Sequence, residues 1–230
     1  MELSEFALLP SVIGCDLCNL ERSVKELGEA GYRNLHIDVL DGHYSPSMPI
    51  GLDTYKQLAR RTDLGFDIHI MSTDNEFFVG ECIKMNPRRI CFQVEGERHI
   101  TNLIGMIKNA GIQAGLAFSP ATNPETVKHI LPECDFVLLM RIEPGYAGFS
   151  NRELAGMMDK IRQTRSLLDS IRPGINLTID GRVSFADGHL LMAAGADSLV
   201  CGSKSAFASG GTPSENYKTM CSTLEAAGVI

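Results

Sequence analysis

Short runs of apolar residues recur along the chain, and each is followed by a longer stretch whose apolar positions are spaced by three and four. The first pattern suits a parallel strand covered on both faces, and the second an amphipathic helix. Strands are therefore expected over 7–13, 34–39, 66–71, 89–94, 113–118, 135–141, 175–180 and 197–201. Helices are expected over 19–30, 51–61, 76–85, 99–110, 124–131, 151–170, 185–194 and 214–227. The punctuation agrees: Asp16 stands ahead of the first helix, Pro124 opens another, and Gly31, Gly111 and Gly195 occupy C-cap positions. Those three glycines sit in EAGYRNLHID, KNAGIQAGLAF and AAGADSLVCG, a faint repeat of helix, glycine and strand.

Eight strands, each with its helix and with no linker or low-complexity stretch between them, close more readily as a barrel than as an open doubly wound sheet, which usually has fewer strands. The expected fold is α/β, a single (β/α)8 TIM-barrel domain over residues 1–230. In such a barrel the chemistry lies at the C-terminal ends of the strands, so polar residues there deserve the first inspection.

Charge and cysteine usage narrow the partners. Asp and Glu outnumber Lys and Arg, 28 to 21, for a net charge of -7 with no basic cluster, which argues against a nucleic-acid or anionic-lipid surface but leaves room for a local phosphate site. The apolar runs at 7–13 and 134–140 are far shorter than the about 20 residues a membrane span needs. Glu2 and Glu5 do not suit a signal peptide, so a cytoplasmic protein with no membrane role is expected. The seven cysteines, an odd number mostly within apolar segments, read as free thiols of a reducing compartment, and the close pair Cys15 and Cys18 around Asp16 is a weak zinc signal.

The inner faces of three strand candidates carry ionisable groups. Period-two alternation puts His36 and Asp38 on one face and Ile37 and Val39 on the other; Asp67, His69 and Met71 likewise share a face; Thr178, Ile179 and Asp180 end a strand in a carboxylate next to Gly181. Unpaired, such groups would each cost on the order of several kcal/mol in an apolar barrel. A divalent metal held by His36, Asp38, His69 and Asp180 would satisfy them together, and two imidazoles with two carboxylates suit Zn, Fe, Mn or Co alike. The competing explanation is a buried His–Asp network with no ion. Two glycine-bearing segments, Glu143-Pro144-Gly145-Tyr146-Ala147-Gly148 and Cys201-Gly202-Ser203, offer backbone N–H groups to an anion beside Gly181, where barrels often place a phosphate; plain turns are the alternative.

The segments LLPSVIGCDLCNLE, HIDVLDGHYSP, DIHIM, AGLAFSPAT, LLMRIEPGYAGFS, TIDGRV and AGADSLVCGS succeed one another at βα positions from about Leu9 to Ser203, and in that order they resemble the signatures of ribulose-phosphate 3-epimerases. The resemblance implies a TIM barrel of the ribulose-phosphate-binding type with one divalent metal ion on His36, Asp38, His69 and Asp180. It implies that Asp38 and Asp180 double as acid and base in epimerising C3 of D-ribulose 5-phosphate to D-xylulose 5-phosphate through a cis-enediolate. Ser11 matches a serine that contacts substrate, Met71 and Met140 match methionines that wall the reacting centre, and Leu40 stands where a third methionine is common. Gly145, Tyr146, Ala147, Gly148, Gly181, Gly202 and Ser203 match the phosphate-cradling backbone, and the family's habit implies a homo-oligomer, dimer or hexamer, with a small sugar phosphate as the partner.

The departures from the pattern surround an intact metal set. Arg182 replaces the second glycine of a usual pair, Arg141 a small hydroxyl residue, Gln93 a common His, and Ser47 and Ser119 common asparagines. Arg182 is expected to reach the substrate phosphate with its guanidinium, the alternative being a solvated side chain without a ligand role. The altered surroundings suggest retained chemistry on a changed substrate, a ketohexose 6-phosphate of the allulose 6-phosphate kind or a tetrulose phosphate, against drift without consequence. Two rivals remain: an aldolase or decarboxylase on a related barrel, which commonly needs a Lys that no inner strand end supplies, and a catalytically silent sugar-phosphate binder, which would put no solvent deuterium into C3.

Overall fold

The structure, a computed structural model, describes residues 4–145 and 153–229. Eight parallel strands are present: β1 (Leu8–Pro10), β2 (Asn34–Leu40), β3 (Gly65–Met71), β4 (Arg89–Gln93), β5 (Gln113–Phe118), β6 (Phe136–Met140), β7 (Asn176–Asp180) and β8 (Ser198–Cys201). Their order in the sheet is β1-β8-β7-β6-β5-β4-β3-β2, and a parallel bridge from Ser11 to His36 joins the two ends, so the sheet closes on itself. Around it lie α1 (Leu20–Ala30), α2 (Leu52–Leu58), α3 (Asn75–Ile83), α4 (Ile100–Asn109), α5 (Met157–Ile171), α6 (Phe185–Ala193) and α7 (Pro213–Ala226).

The two apolar clusters follow from strand alternation. Residues turned outward, among them Ile37, Val39, Ile68, Ile70, Leu139, Leu177 and Ile179, pack under the helices in one large core. Cys91, Ala117, Phe136, Leu138 and Met140 form a second, smaller cluster inside the barrel. Each fully buried aliphatic side chain contributes about 1.5–3 kcal/mol, so the outer layer carries most of the stability and the interior is left room for polar groups. Gly31, Gly111 and Gly195 take φ of +118°, +76° and +113°, the left-handed turn that ends a helix and redirects the chain into the next strand.

Three expectations are corrected. Residues 124–131 do not form an α-helix. Pro124–Val127 and Leu131–Glu133 are two separate 3-10 turns. The chain there closes i to i+3 bonds, Thr126 N–H to Asn123 O and Ile130 N–H to Val127 O, and Pro132 has no N–H with which to propagate a helix. The first strand stops at Pro10, because Val12–Gly14 turns into a 3-10 segment. Asp16 caps the short turn Leu17–Asn19 through the N–H of Cys18, while Asn19 stands at the N-cap of α1. Helix α5 begins at Met157; the start expected at 151 lies outside the described residues.

All seven cysteines are free. Burial pushes the Cys15 thiol up to about 12, which disfavours its thiolate. No helix among the described residues is long and apolar enough to cross a membrane.

Candidate metal centre and active site

The floor of the site is a buried polar layer near the N-terminal ends of the strands. Arg89, 1 % exposed, opens β4 and directs Nε to Asp67 Oδ1 at 2.5 Å, with its other nitrogens on Thr178 Oγ1 at 3.1 Å and Asn176 Oδ1 at 3.2 Å. The rings of Phe6 and Phe136 lie 4.5 and 4.3 Å from the guanidinium carbon, so it is sandwiched as well as paired. Burial would push the Asp67 carboxyl up, but Arg89 and a hydrogen bond from His36 outweigh it and hold the group down at about 2. Asp67 is thus an acceptor only, and the 2.7 Å contact to His36 Nδ1 places the imidazole hydrogen on that nitrogen.

Above this layer the strands deliver four ligand-type residues to one point. His36 and Asp38 come from β2, His69 from β3 and Asp180 from the end of β7; one ligand atom from each lies within 4.8 Å of all the others. His36 Nε2 is 3.4 Å from Asp38 Oδ1 and 3.7 Å from Asp180 Oδ2, and His69 Nδ1 is 3.7 Å from both carboxylates. Among the described residues this is the one group able to hold a metal ion.

Both facing imidazole nitrogens, His36 Nε2 and His69 Nδ1, are buried without a hydrogen-bond partner. Native proteins rarely leave such atoms orphaned. Two imidazole nitrogens and two carboxylates converging on one buried point make a donor set suited to a cation, and donors about 2.0–2.2 Å from a shared ion stand a little over 3 Å apart. The residues present therefore fit a divalent metal.

The four side chains also polarise one another. Burial works against the charged form of His36, yet the carboxylates of Asp38 and Asp67 overcome it and hold its pKa well above the usual value. Asp38 is buried too, but His36 and His69 hold it well below the usual carboxylate range. For Asp180 burial prevails, reinforced by the negative charge of Asp38, and its pKa is raised despite the two histidines. Two carboxylates in one site are thereby driven in opposite directions.

Around the cluster, Ser11 Oγ donates to Asp38 Oδ2 at 2.6 Å, and Tyr55 OH holds the Asp38 backbone carbonyl at 2.9 Å. Met71 and Leu40, side by side at the ends of β3 and β2, and Met140, beside Asp180, are buried. Gly145 has φ +75°, and a Cβ there would strike Ser45 Oγ at 2.0 Å and Leu40 Cδ2 at 2.8 Å, so the segment after β6 meets the end of β2 only because this residue is glycine. Gly181 has φ +103°, and Arg182 after it is exposed with φ +55°, a left-handed conformation that glycine would adopt without cost. Gly202 follows β8, where its carbonyl accepts the N–H groups of Ser205 and Phe207, and Ser203 is exposed. Tyr146, Ala147 and Gly148 lie outside the described residues.

Arg141 does not add a charge to the cluster. Its guanidinium pairs with Glu153 at 2.8–3.0 Å and with Asp187 in the first turn of α6 at 2.8 Å, on the helix side of the barrel. Sequence reasoning placed Asp67 on the correct face without its role, and it missed Arg89 and Tyr55. The available signal was a lone Arg at the start of an otherwise apolar strand, a residue that is almost never buried without a partner.

The model of the ribulose-phosphate 3 epimerase family matches residues 7–206. Ribulose-phosphate 3-epimerase of Chlamydia pneumoniae is 35% identical over 196 residues, 84% of this chain and 85% of its own length. The enzyme of that name from Serratia marcescens is 33% identical over 202 residues, 87% of this chain and 95% of its own. Among solved structures, orotidine 5'-monophosphate decarboxylase from Sulfolobus solfataricus superposes with a TM-score of 0.68 at 12% identity, covering 97% of this chain and 99% of that one. Thiamine phosphate pyrophosphorylase from Pyrococcus furiosus gives 0.62 at 13% identity with 97% of each chain covered, so both are similar in fold alone. With the family model spanning the barrel and relatives above 30% identity along most of its length, the chain belongs to the ribulose-phosphate 3-epimerase family.

Proposed function

We propose that this chain is a metal-dependent epimerase that inverts C3 of a ketose phosphate, D-ribulose 5-phosphate to D-xylulose 5-phosphate being the reaction expected from its family. The observation that carries the reading is the pair of orphaned nitrogens, His36 Nε2 and His69 Nδ1, facing Asp38 and Asp180 in a buried cluster. His36, Asp38, His69 and Asp180 would hold one divalent ion, Zn, Fe, Mn or Co. When bound, the ion supplies positive charge against the negative charge that develops on the substrate's C2 and C3 oxygens.

The chain's own residues move the proton. Inversion requires removal of the C3 hydrogen from one face and delivery of one to the other, hence two groups from different parts of the barrel. Asp38 on β2 and Asp180 on β7 are those groups, one taking up the proton as base and the other delivering one as acid, and reversal of the reaction exchanges the roles. Ser11 orients the Asp38 carboxylate, while Met71, Met140 and Leu40 make an apolar wall that keeps water from the cis-enediolate. Backbone N–H groups of Gly145, Tyr146, Ala147, Gly148, Gly181, Gly202 and Ser203 would cradle the phosphate, and anchoring it orients a small substrate. On this reading residues 1–230 act as one barrel domain, assemble as a homo-oligomer, dimer or hexamer, and work in the cytoplasm.

The test is removal and return of the metal. Chelation is expected to abolish C3 epimerisation and Zn, Mn, Fe or Co to restore it, while deuterium from solvent enters C3 during turnover. Full activity in a verified metal-free preparation would overturn the metal assignment, and absence of C3 exchange across pentulose, hexulose and tetrulose phosphates would favour a silent binder.

Arg182→Gly restores the residue type best suited to φ +55° and is expected to change stability by no more than about 1 kcal/mol. Loss of a charge-assisted contact to the phosphate should raise KM about tenfold or more. Unchanged kinetics on every phosphorylated ketose would remove Arg182 from the binding site.

A further inference from the structure

We propose that Gln93 is a positioning residue that commits His69 to metal binding by fixing which of its ring nitrogens carries the hydrogen; the inference rests on the metal reading of the site. Gln93 ends β4, is 0 % exposed, and places its carbamoyl group 2.9 Å from His69 Nε2. The other end of that group meets Glu95 Oε2 at 2.8 Å and the Ala117 carbonyl at 3.3 Å. Both of those neighbours are acceptors, so the amide nitrogen belongs on their side and the amide oxygen on the side of His69. A carbamoyl oxygen can only accept, so His69 Nε2 must donate to it, and the lone pair is left on Nδ1.

That Nδ1 is the orphaned atom 3.7 Å from both Asp38 and Asp180. His36 is fixed by the same logic in mirror form: its Nδ1–H is held by Asp67, and Nε2 faces the cluster. The two imidazoles thus present different nitrogens to one point, each chosen by the group behind it. Gln93 is itself held from behind, because Glu95 also accepts from the Ser119 N–H at 2.7 Å and Tyr44 OH at 3.1 Å. The amide cannot turn over without leaving Glu95 and Ala117 facing an oxygen.

The role asks for one acceptor toward His69 and one donor toward Glu95, and an imidazole offers both. Gln93→His should therefore bind metal within about threefold of the wild type. Gln93→Leu, of similar size but without polar atoms, leaves the His69 Nε2–H unsatisfied and the ring free to place its hydrogen on Nδ1. Its metal affinity should fall about 10- to 100-fold, as for other residues that orient a ligand from behind.

The experiment is titration of the metal-free protein with zinc against a competing chelator for wild type, Gln93→Leu and Gln93→His. In parallel, solvent exchange of the His69 Nε2–H is followed by NMR in the zinc-loaded, 15N-histidine-labelled proteins. A weakened Gln93→Leu with fast exchange, beside a Gln93→His that keeps its affinity, supports the assignment. Wild-type affinity in Gln93→Leu overturns it alone, whereas a wild type that binds no divalent ion overturns the metal reading and this inference with it. If Gln93→Leu does not fold, Gln93→His decides, and a tenfold loss of zinc affinity in that variant overturns the assignment.

Discussion

Asp38→Asn and Asp180→Asn are each expected to lower the rate of epimerisation by at least about 10²- to 10⁴-fold, the range for loss of a positioned acid or base. The substitutions keep the size of the side chain but remove the oxygen that takes up or delivers the proton. Each carboxamide is also a weaker ligand in a set of four converging atoms, so the loss should exceed that of a group serving one purpose. The two variants need not be alike. With Asp38 intact and held ionised, Asp180→Asn can still abstract the hydrogen facing Asp38 and return one from solvent to the same face, washing deuterium into one epimer without forming the other. Rates measured with the metal content of each preparation, alongside deuterium incorporation at C3, check both statements, and wild-type turnover in either variant would exclude that aspartate from proton transfer.

Arg89→Leu should destabilise the protein by about 3–5 kcal/mol, because it deletes one partner of a fully buried ion pair and leaves the Asp67 carboxylate without its cation. The loss includes the bonds to Thr178 and Asn176 and the stacking between Phe6 and Phe136. The double variant Arg89→Leu with Asp67→Asn no longer buries an unpaired charge and should recover part of the stability. The double variant also changes the group behind His36, so its metal affinity should fall even where it folds. Urea unfolding of the two single variants and the double variant measures the coupling; a cost for Arg89→Leu below about 1 kcal/mol would mean that water or another side chain compensates Asp67.

Most of the strand pattern was legible because a buried parallel strand and an amphipathic helix differ in period, and that signal is local. Where it failed, the chain bends locally: the run from 124 closes only two short 3-10 turns, and the first strand ends at Pro10 because Ser11 to Gly14 bend away. His36, Asp38, His69 and Asp180 were legible for a related reason. A strand shows alternate residues to one face, and ionisable side chains on the apolar inner face of a barrel must be explained together.

What the sequence determined by itself is therefore the list of inward-facing groups and the order of the strands that carry them. What surrounds those groups was decided only by the closed sheet. Asp67 stands behind His36 because the register of β2 and β3 puts them side by side, and Gln93 stands behind His69 because β4 is the next strand. Arg89 reaches across the barrel floor to Asn176 and Thr178, 87 and 89 residues away, and Arg141 turns to Glu153 and Asp187 rather than into the site. None of these pairings has a local signature. A hydrogen bond between side chains depends on which strands closure makes neighbours and on the stagger between them, and both are properties of the whole barrel.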